Sequence, residues 1–198
     1  MSRSILYMSM SLDGFIAGPG DEAGRGLGIG GERLHDWFGP WRGTPSGFEP
    51  ARVSAAVYQE AMATGAVVVG RRTFDYAGQW NGDHHDGVPI FVPTRGEPPA
   101  QPASELVHYV TDGVESAMRQ AKEAAGDKDV MVHGADLTRS LLRAGVLDEL
   151  QIHLIPVLLG EGRRLFDDLG NEHIELEILR VVDAPDVTHL RYRVRRNH

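Results

Sequence analysis

Two short glycine turns concentrate the reactive potential of this chain. In the first, Val67-Val68-Val69 runs into Gly70-Arg71-Arg72-Thr73. In the second, Val130-Met131-Val132 runs into His133-Gly134-Ala135-Asp136-Leu137. Each reads as an apolar strand, a turn and the start of a helix, which leaves unpaired backbone N–H groups aimed at whatever lies beyond the strand end. Such a turn suits phosphate or pyrophosphate. Arg71, Arg72 and the Thr73 hydroxyl strengthen the first as a phosphomonoester site, although solvated arginines at a helix start give the same pattern. In the second, Asp136 reads equally as an ordinary helix N-cap. Two anion sites in one domain suit an extended ligand with phosphates in separate places. NADPH is one, with its pyrophosphate at Gly134 to Asp136 and its adenosine phosphate near Arg71, Thr73 and Arg95. Arginines there favour the phosphorylated cofactor over NADH.

Asp13, in Ser11-Leu12-Asp13-Gly14, is the first carboxylate at a strand end. It is the leading candidate for proton donor or substrate anchor, and a turn aspartate beside glycine reads just as well. His133 is the weaker proton-handling candidate. No Ser-His-Asp or paired-carboxylate pattern suggests hydrolysis. Asp83-His84-His85-Asp86 invites a metal, but adjacent residues in a loop rarely converge on one ion, so no metal site is expected. Gly26-Leu27-Gly28-Ile29-Gly30-Gly31 formally matches G-x-G-x-x-G, yet no strand directly precedes it. The glycine-rich segment from Gly18 to Gly31 reads instead as a mobile flap near a site.

The elements that must position these residues follow from periodicity. Strands are expected at Ile5 to Leu12, Ala66 to Val69, Pro89 to Val92, Leu106 to Val110, Val130 to Val132, and on Leu150, Ile152 and Leu154. Glu32 to Phe38 reads as a short helix with Leu34, Trp37 and Phe38 inward. A helix after Pro50 buries Val53, Val57 and Ala61. Another is expected to start at Asp112, with Glu115 completing a capping box and Val114, Ala117, Met118 and Ala121 buried. A third buries Leu137, Leu141 and Leu142 and stops at Gly145. Ile174 to Ile178 and Thr188 to Val194 alternate apolar with charged residues, predicting a hairpin whose charged faces meet solvent.

The chain has 198 residues, a formal charge of −8 and no cysteine, which predicts a single domain spanning 1–198. Disulfides and thiolate chemistry are excluded. The acidic balance, with pI near 5.5, argues against a nucleic-acid surface. No apolar run is long enough for a membrane span and no secretory signal pattern opens the chain, so a cytoplasmic protein is expected.

SLDGFIAG, VVVGRRTF, VMVHGADLTRSLLRAGVLDEL and IPVLLGEGRRLF, in that order, resemble the dihydrofolate reductase-like superfamily. The nearer branch is the reductase domain of the bifunctional riboflavin-biosynthesis deaminase-reductase. The resemblance implies an α/β fold: a three-layer α-β-α, dihydrofolate reductase-like architecture with a mixed, mostly parallel central sheet and an antiparallel C-terminal hairpin. It also implies an NADPH-dependent reductase of a pteridine-like or ribosylaminopyrimidine-like heterocycle. By resemblance the cofactor is held by Gly70, Arg71, Arg72 and Thr73, by Thr94 and Arg95, by His133, Gly134, Ala135, Asp136 and Leu137, and by Ala17. Asp13, Gly14 and Ile16 line the nicotinamide and substrate, while Pro156, Leu159, Gly160 and Gly162 form the far wall of the pocket. The second turn departs from the family's usual Gly-Gly by having Ala135, and the zinc deaminase signature cannot exist without cysteine. An NADP(H)-binding module with little catalysis is the alternative, and a homodimer covering the C-terminal edge is expected in either case.

Overall fold

The computed structural model describes residues 2–44, 47–170 and 173–195. Its spine is an eight-stranded sheet. In chain order the elements are β1 (Ser4–Ser11), β2 (Phe15–Ala17), a 3₁₀ helix (Gly31–Phe38), α1 (Val53–Met62), β3 (Ala66–Val69), α2 (Arg71–Tyr76), β4 (Ile90–Pro93) and β5 (Val107–Val110). There follow α3 (Val114–Ala125), β6 (Val130–His133), α4 (Ala135–Arg143), β7 (Glu149–Ile155), β8 (Arg163–Arg164), β9 (Leu176–Ala184) and β10 (Val187–Val194). The sheet order is β5-β4-β3-β6-β1-β7-β10-β9. Pairings from β5 across to β7 are parallel, and β10 meets both β7 and β9 antiparallel. This is the expected three-layer α/β architecture.

Strands buried on both faces need apolar residues throughout, which is why Ala66–Val69 is fully buried without alternation. On one face Leu6, Val68, Val132 and Leu150 pack against Met118 of α3 and Leu141 of α4. On the other, Ile5, Val67, Val69 and Ile90 meet Ala61 of α1 and Phe74 of α2. Leu137, Leu141 and Leu142 are buried as their spacing requires, and Gly145 follows the helix at φ 66°.

Several local expectations change. The N-cap of α3 is Gly113, with no side-chain cap; Asp112 instead accepts the Ser116 hydroxyl at 2.7 Å, so no capping box forms. In α1 the inward residues are Ser54, Val57, Tyr58 and Ala61, and Val53 is exposed. Strands β2 and β8 escape a periodicity search, being three and two residues long; they form a separate small sheet.

The hairpin meets its expected exposure in part: Arg193 and Glu177 pair at the solvent surface. Two other arginines lie towards α1 instead: Arg180 forms paired bonds to Glu60 at 2.6 and 2.7 Å, and Arg191 bridges Glu60 and the buried Glu149. Leu176, Ile178 and Val181 on β9 are the exposed residues, beside Val194, Tyr192 and Leu190 in register. Glu60 of α1 supplies the counter-charge for Arg180 and Arg191, while Leu190, Tyr192 and Val194 pack partly against the core and the β9 residues beside them stay outward. No helix among the described residues is long and apolar enough to cross a membrane.

Candidate active site

Because β3 and β6 are neighbours, with Val69 opposite His133, the two glycine turns emerge side by side. The Gly70 N–H donates to the His133 carbonyl at 3.1 Å. Gly134 has φ 101°, and a Cβ there would come within 2.7 Å of Thr73 Oγ1. Only glycine lets the turns touch in this way. Ala135, standing where a second glycine was expected, is the first residue of α4 and is buried. Helical backbone accepts alanine without strain, so the departure leaves the turn intact. The N-cap of α4 is Gly134, not Asp136. Asp136 is exposed in the first turn, where its carboxylate pairs with Arg139. Leu137 is buried against the core.

The turn arginines are already committed. Arg71 Nε donates to Asp75 at 2.6 Å, with its guanidinium 5.2 Å from the Tyr109 ring centre. Arg72 donates to Asp21 at 3.1 Å and sits 4.7 Å from the Tyr76 ring centre. Thr94 follows β4, and its hydroxyl accepts the Gly96 N–H at 3.4 Å. Arg95 is exposed and makes no ion pair among the described residues.

Beside the turns lies a cavity of about 360 Å³. Of the expected site residues it takes Ile16, Ala17, Arg72, Thr73 and His133 into its lining. Apart from the glycine loop, expected near a site, the rest of the wall was not foreseen. One aromatic group is Trp37 with Phe38, ring centres 4.2 Å apart, and His153, 4.4 Å from Trp37. A second is Trp80 with His84, 4.4 Å apart, and His133, 5.2 Å from His84. Tyr7, Tyr58, Met62 and Met131 complete the apolar surface, and Gly26 and Leu27 of the glycine loop close one side. Trp37 is 5% exposed, so it is both a core residue and a wall.

The cavity histidines are held neutral. Burial pushes His133 down to about 4 and takes His84 and His153 well below the ordinary imidazole value, with like-charged histidine neighbours adding to the effect. His35 is also lowered by burial in the cavity wall, though it is exposed enough for water to offset part of that. Behind His153, His189 is paired Nδ1 to Nδ1 at 2.8 Å and reaches the Ser54 hydroxyl at 3.0 Å. Burial holds His189 near 4, and burial drives the Tyr7 phenol up to about 12.

Asp13 is not in this wall. Its carboxylate accepts the Ser11 hydroxyl at 2.6 Å and the N–H groups of Leu159 and Gly160 at 3.1 and 2.7 Å. The Ser11 bond, reinforced by those two amides, lowers it to about 2. These bonds hold the carboxylate in its charged form and make it an anchor between the β1–β2 turn and the β7–β8 loop. Gly14 follows in the same turn, its carbonyl accepting the Leu165 N–H at 3.0 Å. Pro156, Leu159 and Gly160 do not line the cavity, contrary to expectation; Leu159 packs with the Trp37 cluster instead. Gly162 faces a second cleft.

That cleft, about 370 Å³, is lined by polar groups including Arg139, Arg163 and Arg164 with Gly18 and Gly20. It shares Asp21 and Arg163 with the aromatic cavity. Asp21 accepts from Arg163 at 2.9 and 3.3 Å as well as from Arg72, so one carboxylate ties the glycine loop to both β8 and α2. Burial opposes its charge, and the two arginines outweigh that to keep it ionised. The glycine loop is bonded to itself, Gly18 N–H to the Leu27 carbonyl at 2.8 Å, and a 3₁₀ helix follows it, which is not the context of a dinucleotide fingerprint. In the Asp83 to Asp86 segment, His84 Nδ1 lies 2.7 Å from His85 Nδ1 and His85 turns to Thr64. Among the described residues no group of three or more His, Asp or Glu side chains is arranged to hold a metal ion.

The unforeseen residues come from widely separated segments and are joined by strand register and by the packing of helices and loops on the sheet. His153 faces His189 because β7 pairs with β10 at that residue, and no local pattern announces it.

A family model described as the RibD C-terminal domain matches residues 4–190. The uncharacterized protein YwjB of Bacillus subtilis (strain 168) is 26% identical over 181 residues, covering 86% of each chain. A putative riboflavin biosynthesis protein from Shewanella sp. PV-4 superposes with a TM-score of 0.73 at 22% identity, covering 98% of this chain and 99% of that one. A diaminohydroxyphosphoribosylaminopyrimidine deaminase/5-amino-6-(5-phosphoribosylamino)uracil reductase from Thermotoga maritima gives 0.61 at 15% identity. There the match covers 98% of this chain and 56% of that one. At these identities the solved structures bear on fold alone.

Proposed function

Because the chain belongs to the RibD C-terminal domain family, we propose that it is an NADPH-dependent reductase that transfers a hydride to a small heterocyclic substrate. The observation that carries this is the contact of the Gly70 and Gly134 turns beside an aromatic cavity. The residues present suit the cofactor. Free N–H groups at the start of α4 (Ala135, Asp136 and Leu137), the Thr73 hydroxyl and Arg72 would hold its pyrophosphate, behind Gly70, His133 and Gly134. Arg71, Thr94 and Arg95 would hold the adenosine end and select the phosphorylated form. Ala17 and Ile16 would face the nicotinamide. When bound, NADPH supplies the hydride. The protein's own part is to orient the ring, to exclude water with Leu27 and the aromatic wall, and to keep the cavity histidines neutral. With Asp13 ionised and the histidines neutral, the proton that accompanies the hydride is assigned to solvent.

Calorimetry with NADPH and with NADP⁺, followed by loss of reduced-nicotinamide absorbance against a panel of heterocycles, tests the proposal. Saturable binding with turnover supports it; absence of both ends it. The lack of a protonated acid in the wall favours a second reading, an NADP(H)-binding module, which predicts the same heat and no turnover on any compound. In either role, a cytoplasmic homodimer is proposed, with a second copy covering Leu176, Ile178 and Val181. Light scattering reporting a monomer at micromolar concentration would remove the dimer.

A further inference from the structure

Two histidine pairs back the cavity wall, and each ends on a hydroxyl-bearing residue. His153 meets His189 through their Nδ1 atoms, and His189 Nε2 meets the Ser54 hydroxyl. His84 meets His85 through their Nδ1 atoms at 2.7 Å, and His85 Nε2 lies 3.3 Å from both the hydroxyl and the carbonyl oxygen of Thr64. His153 and His84 are the members that line the cavity. The pairs differ at the far end. A serine hydroxyl donates or accepts, so Ser54 leaves His153 free to take either arrangement of its ring proton. Thr64 has no such freedom: its hydroxyl proton goes to the Ala61 carbonyl at 2.8 Å, and its own carbonyl only accepts.

We infer that His84 presents a bare Nε2 to the cavity, a fixed hydrogen-bond acceptor that selects a substrate ring carrying an N–H or amino donor on the facing edge. This rests on reading the cavity as the substrate end of the reductase site. The assignment follows from counting protons outward from Thr64. Both Thr64 oxygens can only accept from the imidazole, so His85 Nε2 carries the single proton of its neutral ring. His85 Nδ1 is then bare, and His84 Nδ1 donates to it. One N–H per neutral ring leaves His84 Nε2 without a proton. Burial keeps both rings neutral, lowering each below the ordinary imidazole value. Among the described residues His84 makes no other hydrogen bond. Its ring is set edge to face against Trp80, centres 4.4 Å apart. Gln79, Trp80 and Asn81 are three successive non-glycine residues with φ of 55°, 47° and 51°, and strain of this kind gathers where a ligand is held. An acceptor in a largely apolar wall is costly to cover with a C–H or N-methyl edge, because its hydration is lost and nothing replaces it. The same bare nitrogen has no proton to give, in keeping with a proton drawn from solvent.

Two measurements on the full chain test this. Long-range proton–nitrogen NMR spectra of the ligand-free protein at pH 7, with the His84 ring assigned through its bonds to the backbone, read the tautomer directly. A protonated Nδ1 and a bare Nε2 are expected; the opposite order, or a ring protonated on both nitrogens, overturns the inference. Calorimetry, with and without saturating NADP⁺, then compares quinazoline-2,4-dione, which has ring N–H groups, with its 1,3-dimethyl analogue, which has none. The wild-type protein is expected to favour the parent dione by at least about tenfold. In His84→Phe, which keeps a flat ring against Trp80, that preference should fall by about tenfold. An equal preference in both proteins would assign the discrimination to the bulk of the methyl groups and overturn the inference, as would failure of the parent dione to bind in either state. The cofactor reading fails separately, through absence of NADPH heat, and that result leaves the tautomer and the comparison in the ligand-free protein readable.

Discussion

Mild acid should destabilise this protein through its histidines. His133 and His189 are each held near 4 by burial, against about 6.5 in an unfolded chain. Between those values the unfolded chain binds protons that the folded one refuses. Stability is therefore full above pH 6.5, falls as pH drops towards 4, and levels off below. Moving from pH 7 to pH 5 realises about 2 kcal/mol for each of the two, or about 4 kcal/mol together. His84 and His153, lowered in the same direction, add to this. The lowered carboxylates, Asp13, Asp21, Glu60 and Asp148, lose their contribution only as pH falls through their unfolded values near 4, so this window isolates the histidines. At roughly 2–4 °C per kcal/mol for a domain of this size, the midpoint should fall by about 8–16 °C. Thermal denaturation followed by circular dichroism at pH 7, 6 and 5 measures it. In His189→Gln, which keeps a group able to bond Ser54, the difference between pH 7 and pH 5 should shrink by about 2 kcal/mol. A midpoint that stays level from pH 7 to pH 5 would show that these imidazoles take up protons freely in the folded state and would refute the neutral-cavity account.

Gly134→Val combines a Cβ 2.7 Å from Thr73 Oγ1 with φ 101°; about 2–3 kcal/mol of stability should be lost in urea denaturation, and NADPH heat with it. Asp13→Asn should lower turnover by loosening the Leu159–Gly160 loop while leaving NADPH affinity and the pH optimum in place, because a group near 2 does not titrate in the working range; a shifted optimum would restore Asp13 as a proton donor. Phe74→Ala, at a fully buried position, should cost about 3–5 kcal/mol in denaturant without changing the oligomer. Ile178→Lys on the exposed β9 face should convert the proposed dimer to monomer in light scattering with little loss of monomer stability, since Ile178 is 66% exposed within the chain.

Local chemistry determined much of the fold. Unbroken apolar runs such as Ala66–Val69 have one comfortable place, inside a parallel sheet. The spacing of Leu137, Leu141 and Leu142 has one comfortable partner, a core face. Gly70 and Gly134 marked the strand ends correctly because a backbone turning sharply towards a neighbour leaves no room for a side chain. Motif order carried the family, and hence the architecture, without any contact being known.

What the chain in isolation left open depends on distances between remote segments. Asp13 shows its local partner Ser11 in the sequence, but only the fold brings the amides of Leu159 and Gly160 onto the same carboxylate. His153 and His189, like Trp37 and Trp80, acquire meaning only from the register of β7 with β10 and the packing of the 3₁₀ helix. Arg180 and Arg191 alternate as solvent-facing residues would, and it is Glu60, a residue of α1 far away in sequence, that pairs with both. Hydrophobic period is a local property that residues carry with them; charge state and cavity shape belong to an environment, and only the folded chain supplies one.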